Sequence, residues 1–265
     1  MIFDTHAHYD DHAYDEDREA VLASLSVHNV RRVVNVAADA ASLFTTRDLA
    51  YAYDFVYGAL GIHPDGVKEM TDETVDMIRR MVGEDRASGK RKIVAVGEVG
   101  LDYCGRDDIP REVQIPAFEK QLALSRELDL PVIVHSRDAA KDTYEILKAH
   151  KTGDGAGIVH CFSYEKEMAR AFLDLGYYIA LGGVVTFKNA RKAKEVAAFV
   201  PLDRLLLETD CPYMAPVPLR GTRNDSRNLS HVVREIASLR GISEEEVEAH
   251  TFSNANRLYR ICDGD

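Results

Sequence analysis

The sequence predicts an α/β protein, a single (β/α)8 barrel of the TIM type across residues 1–265. Three observations lead there. Eight short apolar runs alternate with stretches of helical period along the 265 residues. The runs are nearly continuous in apolar residues, as strands buried on both faces are. His, Glu or Asp stands at the end of five of them, and barrels build their sites at the C-terminal ends of their strands.

The elements follow in order. Ile2–Thr5 reads as the first strand, with His6 and His8 at its end. A helical stretch, Arg18–His28, leads to the strand Arg32–Ala37. Phe55–Gly61 is the third strand, followed by His63. Asp72–Ala87 has helical period, and Lys92–Gly97 is the strand that ends at Glu98. Val113–Leu128 precedes the strand Pro131–His135. Ala139–His150 precedes Gly157–His160, and Glu165–Leu175 precedes Tyr177–Leu181. Ala190–Phe199 leads to Leu205–Glu208, with Asp210 just beyond. His231–Leu239 and a helix from Glu244 to Arg260 finish the chain. Ser243-Glu-Glu-Glu246 opens that last helix as a capping box. An open doubly wound sheet is the alternative. It gathers its ligand at one switch point, near few strand ends, whereas ligand-type residues on five strands suit a closed ring. The irregular stretches Tyr103–Arg111 and Cys211–Asn228 follow two of those strands and are expected to meet substrate.

Composition narrows the function classes. Hydrophobic residues make up 46% and charged residues 29%, an ordinary balance with enough apolar material for a sizeable core. No run of about 18 apolar residues exists, so no membrane span is expected. The first residues turn acidic without a basic region, which argues against a secretory signal. The 4 cysteines form no C-x-x-C pair, which points to a reducing, cytoplasmic setting. Cys161 and Cys211 directly follow His160 and Asp210. Strand alternation should turn them to the other face, as small core residues rather than ligands. A net charge of -11 argues against a broad electrostatic groove for nucleic acid. It leaves room for a phosphate held by bound cations, which can reverse the local sign.

The constellation itself points to metal chemistry. His6 and His8, two apart on a strand, share a face and can reach one cation. Imidazole suits several transition metals, and carboxylate extends the range to Mg and Mn. Glu98 can bridge two cations about 3.5–4 Å apart. His135 and His160 could each be a hydrogen-bonded core histidine; beside His6, His8 and Glu98 they read as ligands. Asp210 can ligate and accept a proton from the attacking water. Glu98 and Asp210 are therefore the candidate catalytic residues. Two cations in such a cup lower the pKa of a shared water and clamp an oxygen as charge develops. Among the remaining histidines, His63 faces the same mouth as a substrate contact or as a partner to a ligand. Arg137, Arg223 and Asn224 are candidate phosphate contacts; the alternative for the arginines is a salt bridge holding loops together. Tyr103 could stack on a base or brace its loop. No G-x-S-x-G motif is present, and no P-loop or G-x-G-x-x-G motif follows a strand, so no nucleotide cofactor is indicated.

As a set, the motifs resemble the TatD family of metal-dependent deoxyribonucleases, within the amidohydrolase-like barrels. They are DTHAHYD at Asp4–Asp10, GIHP at Gly61–Pro64, VGEVGLDY at Val96–Tyr103 and PVIVHSRDA at Pro131–Ala139. GIVHCFS at Gly157–Ser163, ETDCPYMAP at Glu208–Pro216, RGTRND at Arg220–Asp225 and NANRLY at Asn254–Tyr259 complete the order. The resemblance implies a barrel holding two divalent cations (Mg2+, Mn2+ or Zn2+) on His6, His8, Glu98, His135, His160 and Asp210. It implies hydrolysis of DNA phosphodiesters, often as a 3′→5′ exonuclease on single strands. DNA, single-stranded or at 3′ ends, is then the expected partner, with no membrane and at most weak self-association. Two segments depart from the family's usual spelling. Tyr9 stands where Leu is common, and Arg223-Asn-Asp-Ser226 replaces Arg-Asn-Glu-Pro, losing a rigid proline. An ester, amide or lactone hydrolase on the same barrel is the rival among enzymes. A non-catalytic metal-binding barrel is the rival outside them; it should have lost ligands, and all six are present.

Overall fold

The computed structural model describes residues 1–105, 108–150 and 156–262. Its eight strands are β1 Ile2–Ala7, β2 Val30–Val36, β3 Val56–Leu60, β4 Ile93–Asp102, β5 Val132–Arg137, β6 Gly157–Val159, β7 Tyr178–Leu181 and β8 Leu205–Leu207. They pair in chain order, each parallel to the next. The ring closes between β8 and β1. Thr5 Oγ1 donates to the Leu207 carbonyl at 2.9 Å. Asp210 N donates to His6 O at 3.0 Å and His8 N to Cys211 O at 2.9 Å. The predicted single-domain (β/α)8 barrel is the observed fold.

The helices are α1 Arg18–Ser24, α2 Ala40–Ala52, α3 Asp72–Ala87, α4 Arg111–Leu128, α5 Ala140–Ala149, α6 Lys166–Asp174, α7 Arg191–Phe199, α8 Leu229–Arg240 and α9 Glu244–Tyr259. Helix α2 is absent from the sequence-based reading. Its buried face is made by Leu43, Thr46 and Ala50, which are too small and too mixed to give an apolar stripe. Ser243 caps α9 as expected, accepting from Glu246 N–H at 3.1 Å. Helix α9 lies across the starts of the strands: Asn254 Nδ2 donates to Leu202 O and Leu205 O. Tyr259 Oη reaches Thr5 O at 3.1 Å. With Phe3, Ile133, Tyr178 and Leu206 it builds an inner apolar cluster that fills the barrel from below. The opposite end is left for polar groups.

Two boundaries correct the picture of ligands at strand ends. Strand β4 runs on to Asp102, so Glu98 lies within it, at a register shift between Val96 and Val99. Strand β5 continues to Arg137, which places His135 inside it. Glu98 is the first polar residue after the run Ile93–Gly97, so the apolar signal breaks there although the backbone goes on pairing through Val99, Gly100 and Leu101 to Asp102. Gly100 makes the close pairing feasible: its φ is 148°, and a Cβ there would stand 1.9 Å from the His135 carbonyl.

Candidate metal centre and active site

All six predicted ligands meet at the C-terminal mouth of the barrel. Their ligand atoms fall into overlapping groups: His6, His8 and Asp210; His6, Glu98 and His160; and His63, Glu98 and His135. The members of each group lie within 4.8 Å of one another. Glu98 stands at the centre. Its Oε1 is 2.7 Å from His135 Nδ1 and 2.6 Å from His160 Nε2. Its Oε2 is 3.3 Å from His6 Nε2 and 3.9 Å from His8 Nε2. One carboxylate thus turns a separate oxygen to each pair of imidazoles. Asp210 completes the first group, with Oδ1 3.5 Å from His8 Nε2.

These residues fit divalent cations on chemical grounds. His6 Nε2 and His8 Nε2 are 3.1 Å apart; two imidazole lone pairs at that distance need a proton or a cation between them. The outer nitrogens are set accordingly. His8 Nδ1 lies 2.8 Å from the Val36 carbonyl, which requires a proton on Nδ1 and leaves Nε2 as the ligand atom. His135 Nε2 lies 3.3 Å from Asp102 Oδ2, which turns Nδ1 inward in the same way. His63 behaves differently. Its Nδ1 accepts from Asp65 N–H at 3.1 Å, so the proton sits on Nε2, 3.7 Å from Glu98 Oε1. In this arrangement His63 turns an Nε2–H toward the cup, and it also falls in a group with Glu98 and His135.

Electrostatics support this division. Burial and the neighbouring His160 push His6 down to about 4, and burial brings His63 to about 4 as well. Both are neutral at pH 7. Burial also opposes charge on His8 and His135. The Asp210 hydrogen bond and charge nevertheless raise His8 to about 9, and Asp102 and Glu98 raise His135 to about 9. Burial works against an ionised Glu98, yet the histidines around it hold the carboxyl well below the usual range. Asp210 is lowered too, against burial, by its bond to His8 and the nearby His6.

Asp102 and Glu208 escaped the sequence reading. Asp102 is buried and steadies His135. Glu208 is fully buried; its Oε1 accepts from Cys161 N–H, and its Oε2 lies 3.8 Å from His160 Nδ1. Burial pushes Glu208 up to about 8. The available signal was position, since each carboxylate sits within four residues of a ligand-type residue.

The cup opens into a cavity of about 840 Å3. His63 and Arg137 line it; Arg137 is exposed at the end of β5. Tyr103, Arg223 and Asn224 do not line it. Tyr103 Oη binds Asp142 Oδ2 at 2.8 Å and braces its loop; residues 106 and 107 of that loop lie outside the described residues. Arg223 forks onto Asp17 at 2.7 and 2.6 Å and covers the Tyr14 ring. Asn224 is buried and donates to Thr209 O at 3.1 Å. All three are engaged in holding loops together. Cys211 is buried as expected. Cys161 departs from expectation: it lines the cavity, because its φ of 44° breaks the alternation beyond β6.

A closed (β/α)8 barrel with such a cup at its mouth defines the class of metal-dependent hydrolases, and comparison with known proteins places the chain within it. The chain belongs to the TatD-related DNase family, whose pattern matches residues 3–260. It is 41% identical to the uncharacterized metal-dependent hydrolase YabD of Bacillus subtilis, over 98% of this chain and 100% of that one. It is 38% identical to the uncharacterized metal-dependent hydrolase YcfH of Escherichia coli, covering 98% and 96%. The crystal structure of YjjV, a TatD homologue from Escherichia coli K12, superposes with a TM-score of 0.90 at 33% identity, over 98% of each chain. Among the described residues no helix is long and apolar enough to cross a membrane.

Proposed function

We propose that this protein hydrolyses phosphodiester bonds in DNA with water as the nucleophile, working from the 3′ end of single strands. His6 and His8 would hold one divalent cation, His135 and His160 a second, with Glu98 between them and Asp210 on the first. When bound, the cations supply a water of lowered pKa and neutralise charge growing on the phosphate. The residues of the chain do the rest. Asp210 is ionised, sits beside His8 and lines the cavity, so its carboxylate can orient the water and take its proton. His63 Nε2–H and the Arg137 guanidinium can donate to phosphate oxygens.

The observation that supports this reading best is Glu98, with one oxygen toward each pair of imidazoles. That division suits a two-cation clamp on an in-line displacement. Family membership favours DNA over other phosphodiesters. The apolar part of the cavity wall, Phe162, Leu181, Val184 and Val185, favours a second reading, hydrolysis of a carboxylic ester or lactone. The two are separated by assaying end-labelled single-stranded DNA, an aryl ester and a lactone with Mg2+, Mn2+ and Zn2+. A ladder shortening from the 3′ end, lost by at least about 1,000-fold in His135→Ala, is expected. Turnover of the ester alone would replace the first reading by the second.

A further inference from the structure

Tyr213 and Met214 are large apolar side chains that remain 55% and 45% exposed. Both line the cavity mouth. They come one turn after Asp210: Tyr213 N donates to Asp210 O at 2.9 Å, a tight turn that sets the ring beside the cup. This exposure does not come from a loose loop. Tyr213 Oη is held by Asp11 Oδ2 at 3.2 Å. Asn224 N donates to Pro212 O at 2.9 Å, and Val217 N donates to Thr186 Oγ1 at 2.8 Å. At Gly183 a Cβ would stand 1.9 Å from Met214 O, so the loop after β7 packs backbone to backbone against it.

A fixed, solvent-facing aromatic beside a hydrolytic cup has a specific use. Two adjacent large apolar side chains exposed at the mouth of a site offer a contact surface to a ligand, and holding the ring in advance lowers the entropy lost when it is covered. A flat group suits this ring, which is pinned at its hydroxyl end and 55% exposed. It must also adjoin the scissile bond, since the ring is three residues from Asp210. An unpaired nucleobase meets both conditions, and stacking tolerates any base.

We propose that Tyr213 and Met214 form a stacking subsite for the unpaired nucleobase next to the scissile phosphate. The inference rests on the phosphodiesterase reading above. It makes Tyr213 a determinant of single-strand preference, because a paired base has no free face to offer.

The test uses the full-length protein with Mg2+ and an eight-nucleotide single-stranded DNA, intact or with one abasic position moved along it. Tyr213→Leu should raise KM for the intact strand roughly 5- to 150-fold, as expected for the loss of one stacked base, with kcat moving much less. Tyr213→Phe keeps the ring and should stay within about threefold of wild type. The deciding observation is position. The Tyr213→Leu loss should vanish when the abasic site occupies one particular nucleotide, and persist elsewhere. An equal loss on every abasic strand, or no loss, would overturn the subsite; an unchanged melting temperature excludes misfolding as the cause. Failure of the wild type to cleave the intact strand would instead overturn the phosphodiesterase reading, and the subsite with it.

Discussion

Single residues set the protonation of the cup. A cation needs neutral imidazole, and His8 and His135 hold protons up to about 9 when nothing replaces them. The direction follows. Below about pH 9 each site must release a proton to bind, so apparent affinity should climb as pH rises and level off above that value. Zn2+ or Mn2+ titrations at pH 6, 7 and 8 are expected to show gains of about tenfold per unit for each site. A flat profile would mean that neither histidine is a ligand. Asp102 acts through His135: Asp102→Asn should weaken one binding step about tenfold or more and spare the other. A competing chelator reads this without any turnover. Tyr9 and Ser226, two of the departures from the family's spelling, touch each other. The buried Tyr9 hydroxyl lies 2.7 Å from Ser226 Oγ and accepts Ser226 N–H at 2.9 Å. A proline has no such N–H, yet position 226 begins a 3-10 turn where proline is welcome. Tyr9→Leu and Ser226→Pro should each destabilise by about 1–3 kcal/mol, and the double variant by less than their sum. Strict additivity in urea melts would show that the two changes are independent.

At the level of elements, the loop after β8 is the part the sequence described least well. Arg223 and Asn224 were candidates for phosphate contact; the fold uses them to fasten that loop to the loop after β1. Arg223 spans from the loop to Asp17 and to Ala13 O. Asn224→Ala leaves the Thr209 carbonyl and the Asp225 and Asn228 donors without their partner. It should cost about 1–3 kcal/mol in denaturation. Arg223→Ala, more exposed, should cost about 1 kcal/mol or less. Neither should raise KM more than about threefold if the loop keeps its shape. A large KM effect at full stability would return Arg223 to the substrate. The strands were far more legible. Short, largely apolar runs marked all eight, since a parallel sheet buries both faces. Their ends were less so: β4 and β5 extend past Glu98 and His135 through Gly, Ser and Asp. These residues break the apolar signal while the backbone goes on pairing.

At the scale of the molecule, charge and site oppose each other. A net charge of -11 surrounds a cup that we propose receives a phosphate. Few phosphates can then be gripped, and binding of single-stranded DNA should fall gently with salt, with a log–log slope near -1 to -2 at about -0.7 per neutralised phosphate. A slope of -4 or steeper would mean an extended basic track elsewhere on the surface. The chain by itself determined the barrel, the family and the six residues that converge, because strand period, strand-end position and motif order are properties of local sequence. Only the tertiary structure decided which nitrogen of each histidine points inward. It also decided that His63 accepts the Asp65 N–H through Nδ1, and that Tyr103, Arg223 and Asn224 bond within the loops off the cavity wall while Asp102, Glu208 and Tyr213 line it. Those outcomes depend on partners up to some 200 residues away, such as Asp17 for Arg223 and Asp11 for Tyr213. Distances of that kind are set by closure of the ring, which no local pattern encodes.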